Sequence, residues 1–291
     1  MTEPAISVQR LTKVFPIPFQ RRTVVALHDL NLQVESGQIY GLLGPNGSGK
    51  STTLKIILGL ISPSRGTSQL FGRDSNEVTS RHGVGFLPES PYFYKYLTGV
   101  ETLRFYGELC GLHGRRLRNR IEQLLELVEL TGAADRPLNN YSKGMLQRIG
   151  LAQAIIHNPR LVVLDEPTAG VDPGGARVIC DLILNLKRRG ITVLLSSHLL
   201  EQVQEICDRV AILANGGLVR EGKLADLLSI QNRTKLVLED ASPTLVHEIE
   251  MLAVRSGGRL IERSAMRMSL ESLFLQLSQG QNEGSCKDIH V

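Results

Sequence analysis

Gly44-Pro45-Asn46-Gly47-Ser48-Gly49-Lys50-Ser51 satisfies the pattern G-x-x-x-x-G-K-[ST]. Its glycines let consecutive backbone N–H groups curl around an anion with no Cβ in the way. The preceding Gly37–Leu43 (GQIYGLL) is a nearly unbroken apolar run, which suits a strand buried on both faces of a parallel sheet. The following Thr52–Leu60 (TTLKIILGL) has helical spacing. A glycine-rich loop between a buried strand and a helix is the setting in which this pattern holds phosphate. The helix adds its N-terminal partial positive charge. Lys50 is expected to reach the β- and γ-phosphates, and the Ser51 hydroxyl to ligate Mg²⁺. The stretch from Gly44 to Thr52 therefore predicts binding of a nucleoside triphosphate.

A second apolar run, Leu161–Pro167 (LVVLDEP), ends in two carboxylates. At the C-terminal end of a strand in an open α/β sheet, a side chain faces the ligand crevice. Asp165 is expected to hold Mg²⁺ directly or through water, and Glu166 to accept a proton from an attacking water. Ile191–His198 (ITVLLSSH) is a third such strand, and with the second it brackets a helix from about Gly175 to Arg189 in a βαβ unit.

The rest of the chain organises around these elements. Ile6, Val8, Val24, Val25, Leu27, Leu30, Leu32 and Val34 alternate as in strands, and short apolar runs between Ser62 and Phe86 suggest more of them. Val100–Thr131 and Gln147–His157 read as helical, and RVAILANG with LVREG reads as a hairpin. After Ser229 the pattern predicts a strand near Lys235–Leu238, a helix near Leu245–Val254, a strand near Arg259–Glu262 and a helix near Leu270–Leu277. The expected division is a nucleotide-binding domain over residues 1–229, with a helical part at about 90–158. A small α+β appendage over 230–278 and a disordered tail over 279–291 complete it.

These residues resemble an ABC (ATP-binding cassette) ATPase subunit. Tyr141–Arg148 (YSKGMLQR) is similar to the family's LSGGQ signature, Ala169–Asp172 (AGVD) to its D-loop, and Ser196-Ser197-His198 to its H-loop. The likeness spans about residues 5–225. It implies an α/β P-loop NTPase with a RecA-like core, an N-terminal antiparallel β region and a helical subdomain carrying the signature. It implies a head-to-tail homodimer that closes on ATP and Mg²⁺. Each ATP is gripped by the phosphate loop of one subunit and by Ser142 and Gly144 of the other, with Asp172 also among the nucleotide-binding residues and His198, catalytic with Glu166, near the γ-phosphate. Phe15, or alternatively Phe19, would stack on adenine. The motion would pass to a polytopic membrane permease, with the chain peripheral on the cytoplasmic face of the membrane.

Three positions depart from the family pattern. Glu89 stands where a Gln is usual; it can still ligate Mg²⁺ but adds a negative charge. Lys143 and Met145 replace the usual Gly and Gln of the signature. The set LPE…YSKGM, with a Ser269–Leu277 helix (SLESLFLQL), resembles the ATP-binding subunits of type-2 ABC exporters. Tyr92, Phe93, Tyr94, Tyr96, Phe105 and Tyr106 hold six of the thirteen aromatics and follow Glu89, where the family docks its permease. They suit either core packing or a partner groove.

Composition narrows the alternatives. Of 291 residues 42% are hydrophobic and 21% charged, which excludes a disordered chain, and 28 Gly with 12 Pro exclude a coiled-coil rod. No stretch approaches the ~18 uncharged apolar residues of a membrane helix. The opening MTEPAISVQR lacks the apolar core of a secretion signal, so a cytosolic protein is expected. A net charge of +4 without a long basic run gives no expectation of a nucleic-acid partner. The alternative is a soluble ABC ATPase acting on nucleic acid or ribosomes; such proteins usually carry a long coiled coil, zinc-binding cysteines or two cassettes, and this chain shows none of these. A GTPase would want an NKxD-type motif, which is also missing. Cys110, Cys180, Cys207 and Cys286 lack metal-site spacing; most are expected to be buried and reduced, with Cys286 on the tail.

Overall fold

The computed structural model describes residues 3–16, 22–229 and 242–257. Phe19, Cys286, the strands expected near 235–238 and 259–262, the helix near 270–277 and the tail lie outside the described residues. The chain divides into two units, Met1–Leu228 and Ser229–Val291.

In the first unit, β1 (Ile6–Pro16), β2 (Thr23–Val34), β4 (Arg65–Leu70) and β5 (Arg73–Asp74) form an antiparallel sheet in the order β2-β1-β4-β5. The alternation read in the sequence is the period of one buried and one solvated face. Leu27, Leu30, Leu32 and Val34 point inward along a single continuous β2.

The second sheet runs β10-β9-β3-β8-β7-β6, built from β3 (Ile39–Leu43), β6 (Val84–Leu87), β7 (Leu161–Asp165), β8 (Thr192–Ser197), β9 (Arg209–Ala214) and β10 (Gly217–Lys223). All pairings are parallel except β9 with β10, the expected hairpin. Every residue of β3, β7 and β8 is buried, which is why these strands read as unbroken apolar runs. One apolar cluster fills the space between the two sheets, including Ile6, Leu30, Leu42, Leu54 and Val163. A second joins the other face of the parallel sheet to the helices, through Leu87, Leu103, Ile121, Ile149, Leu164 and Ile183.

The helices are α1 (Lys50–Ile57), α2 (Gly99–Leu109), α3 (Gly114–Leu127), α4 (Lys143–Ala154), α5 (Pro173–Arg188), α6 (Leu200–Ile206) and α7 (Leu224–Leu228). The helical stretch expected from Val100 breaks after Leu109, where Gly111 takes φ +77° and turns the chain into α3. Thr98 and Glu101 form a reciprocal capping box that starts α2. The helix expected at Gln147 starts four residues earlier, because Ser142 caps it by accepting from Met145 N at 3.3 Å. In the second unit, α8 (Pro243–Arg255) occupies the expected helical stretch, capped by Ser242.

Among the described residues no helix is long and apolar enough to cross a membrane. Cys180 and Cys207 are buried as expected, whereas Cys110 is exposed at the end of α2. Burial, with Asp208 adjacent, pushes the Cys207 thiol up to about 12, so it stays protonated.

Candidate functional site

The parallel register delivers every central group to one edge of the sheet. β3 ends at Leu43 and opens into the phosphate loop, β7 ends at Asp165, and β8 ends at Ser197 beside His198.

Two loop glycines are sterically required. At Gly44 (φ +152°) a Cβ would come within 2.3 Å of Leu213 O and 2.5 Å of Ser48 Oγ. At Gly49 (φ +103°) it would meet Leu27 Cδ2 at 2.6 Å. Gly49 also occupies the N-cap of α1 and offers no capping side chain, and the first turn has no acidic residue. The orphan N–H groups of that turn are therefore left for a ligand. Ser48 Oγ is buried without a hydrogen-bond partner among the described residues. Pro45, Asn46 and Gly47 are exposed at the loop's crest, and Thr52 is half-buried in the first turn of α1.

Lys50 is buried and folds back, donating to Gly44 O at 2.7 Å and Pro45 O at 3.3 Å. Its Nζ also lies 3.5 Å from Glu166 Oε1. Ser51 Oγ donates to Asp165 Oδ1 at 3.3 Å. A hydroxyl and a carboxylate in contact are an oxygen-only donor set. That fits Mg²⁺, which takes one or two protein oxygens and completes its shell with phosphate and water. The loop with its unused N–H groups and its buried, unpartnered hydroxyl likewise fits a triphosphate.

Glu166 has a strained backbone, φ +49°. Its N–H is held by Ser196 O at 3.2 Å and Ser196 Oγ at 3.0 Å. Ser196 Oγ in turn donates to Asp165 Oδ1 at 2.6 Å. One hydroxyl thus ties both carboxylate residues to β8, because the register sets Asp165 opposite Ser196. Sequence reasoning named Ser196 as part of a motif but missed this bridging role; aligning the C-terminal ends of the two buried runs would have found it. The Glu166 carboxylate turns to His198, with Oε2 at 2.8 Å from Nδ1 and 3.3 Å from His198 N.

Ser142, Gly144 and Asp172 form a separate group. Asp172 caps α5 by accepting from Gly175 N at 3.0 Å. A Cβ on Gly144 would sit 3.1 Å from Val171 Cγ1, so the start of α4 packs directly on the loop before α5. No hydrogen bond among the described residues links Ser142, Gly144 or Asp172 to the Lys50 cluster.

Glu89 is exposed after β6, and its carboxylate has no hydrogen-bond partner among the described residues. Its backbone is anchored instead: Gln147 Nε2 of α4 donates to Glu89 O at 2.8 Å. Sequence reasoning missed Gln147 because its partner is 58 residues away. Phe15 is exposed near the end of β1, with Lys13 Nζ 4.9 Å above its ring. Of the aromatic stretch, Phe93 is buried, whereas Tyr92, Tyr94 and Tyr96 are 88, 50 and 73% exposed.

The family described as "ABC transporter" matches residues 27–169. The ABC transporter ATP-binding protein all4389 of Nostoc is 39% identical, over 97% of this chain and 92% of its own. This chain belongs to the ABC transporter ATP-binding subunits.

As an ABC ATPase it binds ATP and hydrolyses it. The bacitracin transport ATP-binding protein BcrA of Bacillus licheniformis is 34% identical, over 88% of this chain and 93% of its own. The dimeric bacterial ABC transporter cassette MJ0796 is similar in structure, with a TM-score of 0.69 and 27% identity, covering 75% of this chain and 98% of its own. The same cassette is also known as a dimer bound to ADP and Pi, a state similar to this chain with a TM-score of 0.66, at 27% identity and over 75% of this chain and 98% of its own. MJ0796, a cassette similar to this chain, is thus dimeric in both structures.

Proposed function

We propose that this ABC subunit powers an exporter, coupling ATP-driven closure of a homodimer to a separate polytopic permease at the cytoplasmic face of the membrane. The observation that carries the catalytic part is the position of Glu166, held between Lys50 and His198 with Asp165 and Ser51 alongside.

On ATP binding, Lys50 exchanges the Gly44 and Pro45 carbonyls for the β- and γ-phosphates. Leaving its position 3.5 Å from Glu166, it frees that carboxylate to accept a proton from water. His198 holds the other face of the carboxylate and carries its own exposed ring toward the γ-phosphate. Ser51 and Asp165, with Glu89, would hold Mg²⁺; when bound, it neutralises charge on the β- and γ-phosphate oxygens. Ser142 and Gly144 of the opposite subunit would complete the phosphate cage in trans, with Asp172 at the same interface, and Phe15 would stack on adenine. That Ser142 and Asp172 stand apart from the Lys50 cluster within one chain supports a site completed by a second copy.

The same reading assigns residues 1–229 to the nucleotide-binding domain, with the helical part at about 90–158, and 230–278 to an appendage. Support for an exporter is the LPE…YSKGM variant set and the transport role in BcrA's name. Copurification of the tagged full chain from detergent-solubilised membranes tests it. A stoichiometric polytopic protein is the expected outcome, and copurifying ribosomes or DNA would contradict it.

A further inference from the structure

The edge of the parallel sheet opposite the phosphate loop carries a second polar cavity. At the N-terminal ends of β7 and β8 lies a cleft of about 230 Å³ lined by Ser36, Phe71, Arg160, Arg189, Gly190 and Thr192 among others. Arg160 directly precedes β7, and its carbonyl accepts from Thr192 N at 3.0 Å, so β7 and β8 bring Arg160 and the α5–β8 turn together. The Arg160 guanidinium lies over the Phe71 ring, its carbon 4.0 Å from the ring centroid. This cation–π contact holds the guanidinium at the ring without using its N–H donors in a hydrogen bond.

Neither Arg160 nor Arg189 has a salt bridge or side-chain hydrogen bond among the described residues. The C-terminus of α5 does not need the Arg189 side chain as a cap, because the N–H groups of Arg189, Gly190 and Ile191 already take its last carbonyls. Arg120 shows the contrast: it donates to Ile155 O at 2.6 Å and Ile156 O at 3.2 Å. Burial, with Arg189 nearby, holds Arg120 below the usual guanidinium range. The Glu3 carboxylate lies against Gly72 and pairs with neither arginine. Thr192 Oγ1 accepts from Gly37 N at 2.9 Å, which leaves its O–H to donate.

We infer that this cleft is a binding site for a small doubly charged oxyanion, a phosphate or a dicarboxylate, gripped by the unused N–H edges of Arg160 and Arg189. Guanidinium edges match such anions in bidentate geometry. The site is distinct from the phosphate loop and stands whether or not the transport reading does.

Calorimetric titration with orthophosphate tests it, using full-length chain carrying Lys50→Ala so that the phosphate loop contributes little. Binding should persist in this variant and weaken at least tenfold when Arg160→Gln and Arg189→Gln are added. With Lys50 intact, the double arginine variant should keep its ATPase rate, which reports an intact fold; if the pair perturbs folding, Arg189→Gln alone, on an exposed turn, gives the same reading. Displacement of phosphate by malonate extends the site to dicarboxylates, and no displacement restricts it to phosphates. Absence of orthophosphate binding in Lys50→Ala, or equal affinity with and without the arginines, would overturn the proposal.

Discussion

Glu166 Oε2 lies 2.8 Å from Nδ1 of His198, while the other carboxylate oxygen lies 3.5 Å from Lys50 Nζ. The carboxylate is almost fully enclosed, with 9% of its side chain exposed, and the histidine at its open side is 45% exposed. The enclosed group is thus bracketed by a buried cation on one side and a partly exposed ring on the other. In the proposed mechanism Lys50 leaves this contact for the phosphates before Glu166 accepts a proton.

Lys50→Ala should weaken ATP binding by at least about tenfold, since charged hydrogen bonds contribute about 1.5–3 kcal/mol. Equilibrium binding of a labelled ATP analogue measures this. Unchanged affinity would mean that the loop is not the nucleotide site.

Glu89→Gln should retain ATPase activity and shift its Mg²⁺ requirement upward, because an amide holds the metal less strongly than a carboxylate does. Mg²⁺ titrations of Glu89→Gln and Glu89→Ala that both superimpose on wild type would remove Glu89 from the metal site.

Replacing Tyr92, Tyr94 and Tyr96 with Ser should reduce recruitment to permease-containing membranes by about tenfold or more, as loss of aromatic anchors does at interfaces. ATP binding should stay the same. The exposure of all three makes a folding defect unexpected; an unfolded triple variant would assign them to the core instead.

Burial holds the half-buried His157 below its usual 6.5. Below that value the unfolded chain binds the proton more readily than the folded one, so stability is fully present above pH 6.5 and falls as the pH drops through the folded value. Denaturant unfolding of His157→Gln should show a flatter dependence between pH 7 and about 5 than wild type. Parallel profiles would assign the acid sensitivity to other groups.

Local patterns made much of this architecture legible. Both faces of β3, β7 and β8 are covered, so composition alone marks them as central strands, and the phosphate loop is contiguous. Apolar periodicity alone did not mark the start of α4, because Lys143-Gly144 breaks it; only the likeness to the signature put Ser142 and Gly144 at a helix N-terminus, where Ser142 is the cap. The Asp165–Ser196–Glu166 network was not legible, because it depends on the register of strands 31 residues apart. The left-handed backbone of Glu166 has no compositional signal, because the turn is imposed by hydrogen bonds to β8. The aromatic stretch is divided by the fold, with Phe93 inside and three tyrosines outside, a distinction that spacing in a loop cannot make.

The ATPase rate of Glu166→Gln tests the central claim most directly. The substitution is nearly isosteric and preserves the contacts of Lys50, Ser51 and Asp165 with the triphosphate, but it removes the base. Binding should persist or tighten, turnover should fall by roughly 10²–10⁴, and the stalled Mg-ATP form should accumulate as a dimer on size exclusion. A Glu166→Gln protein that hydrolyses ATP at the wild-type rate would contradict the account.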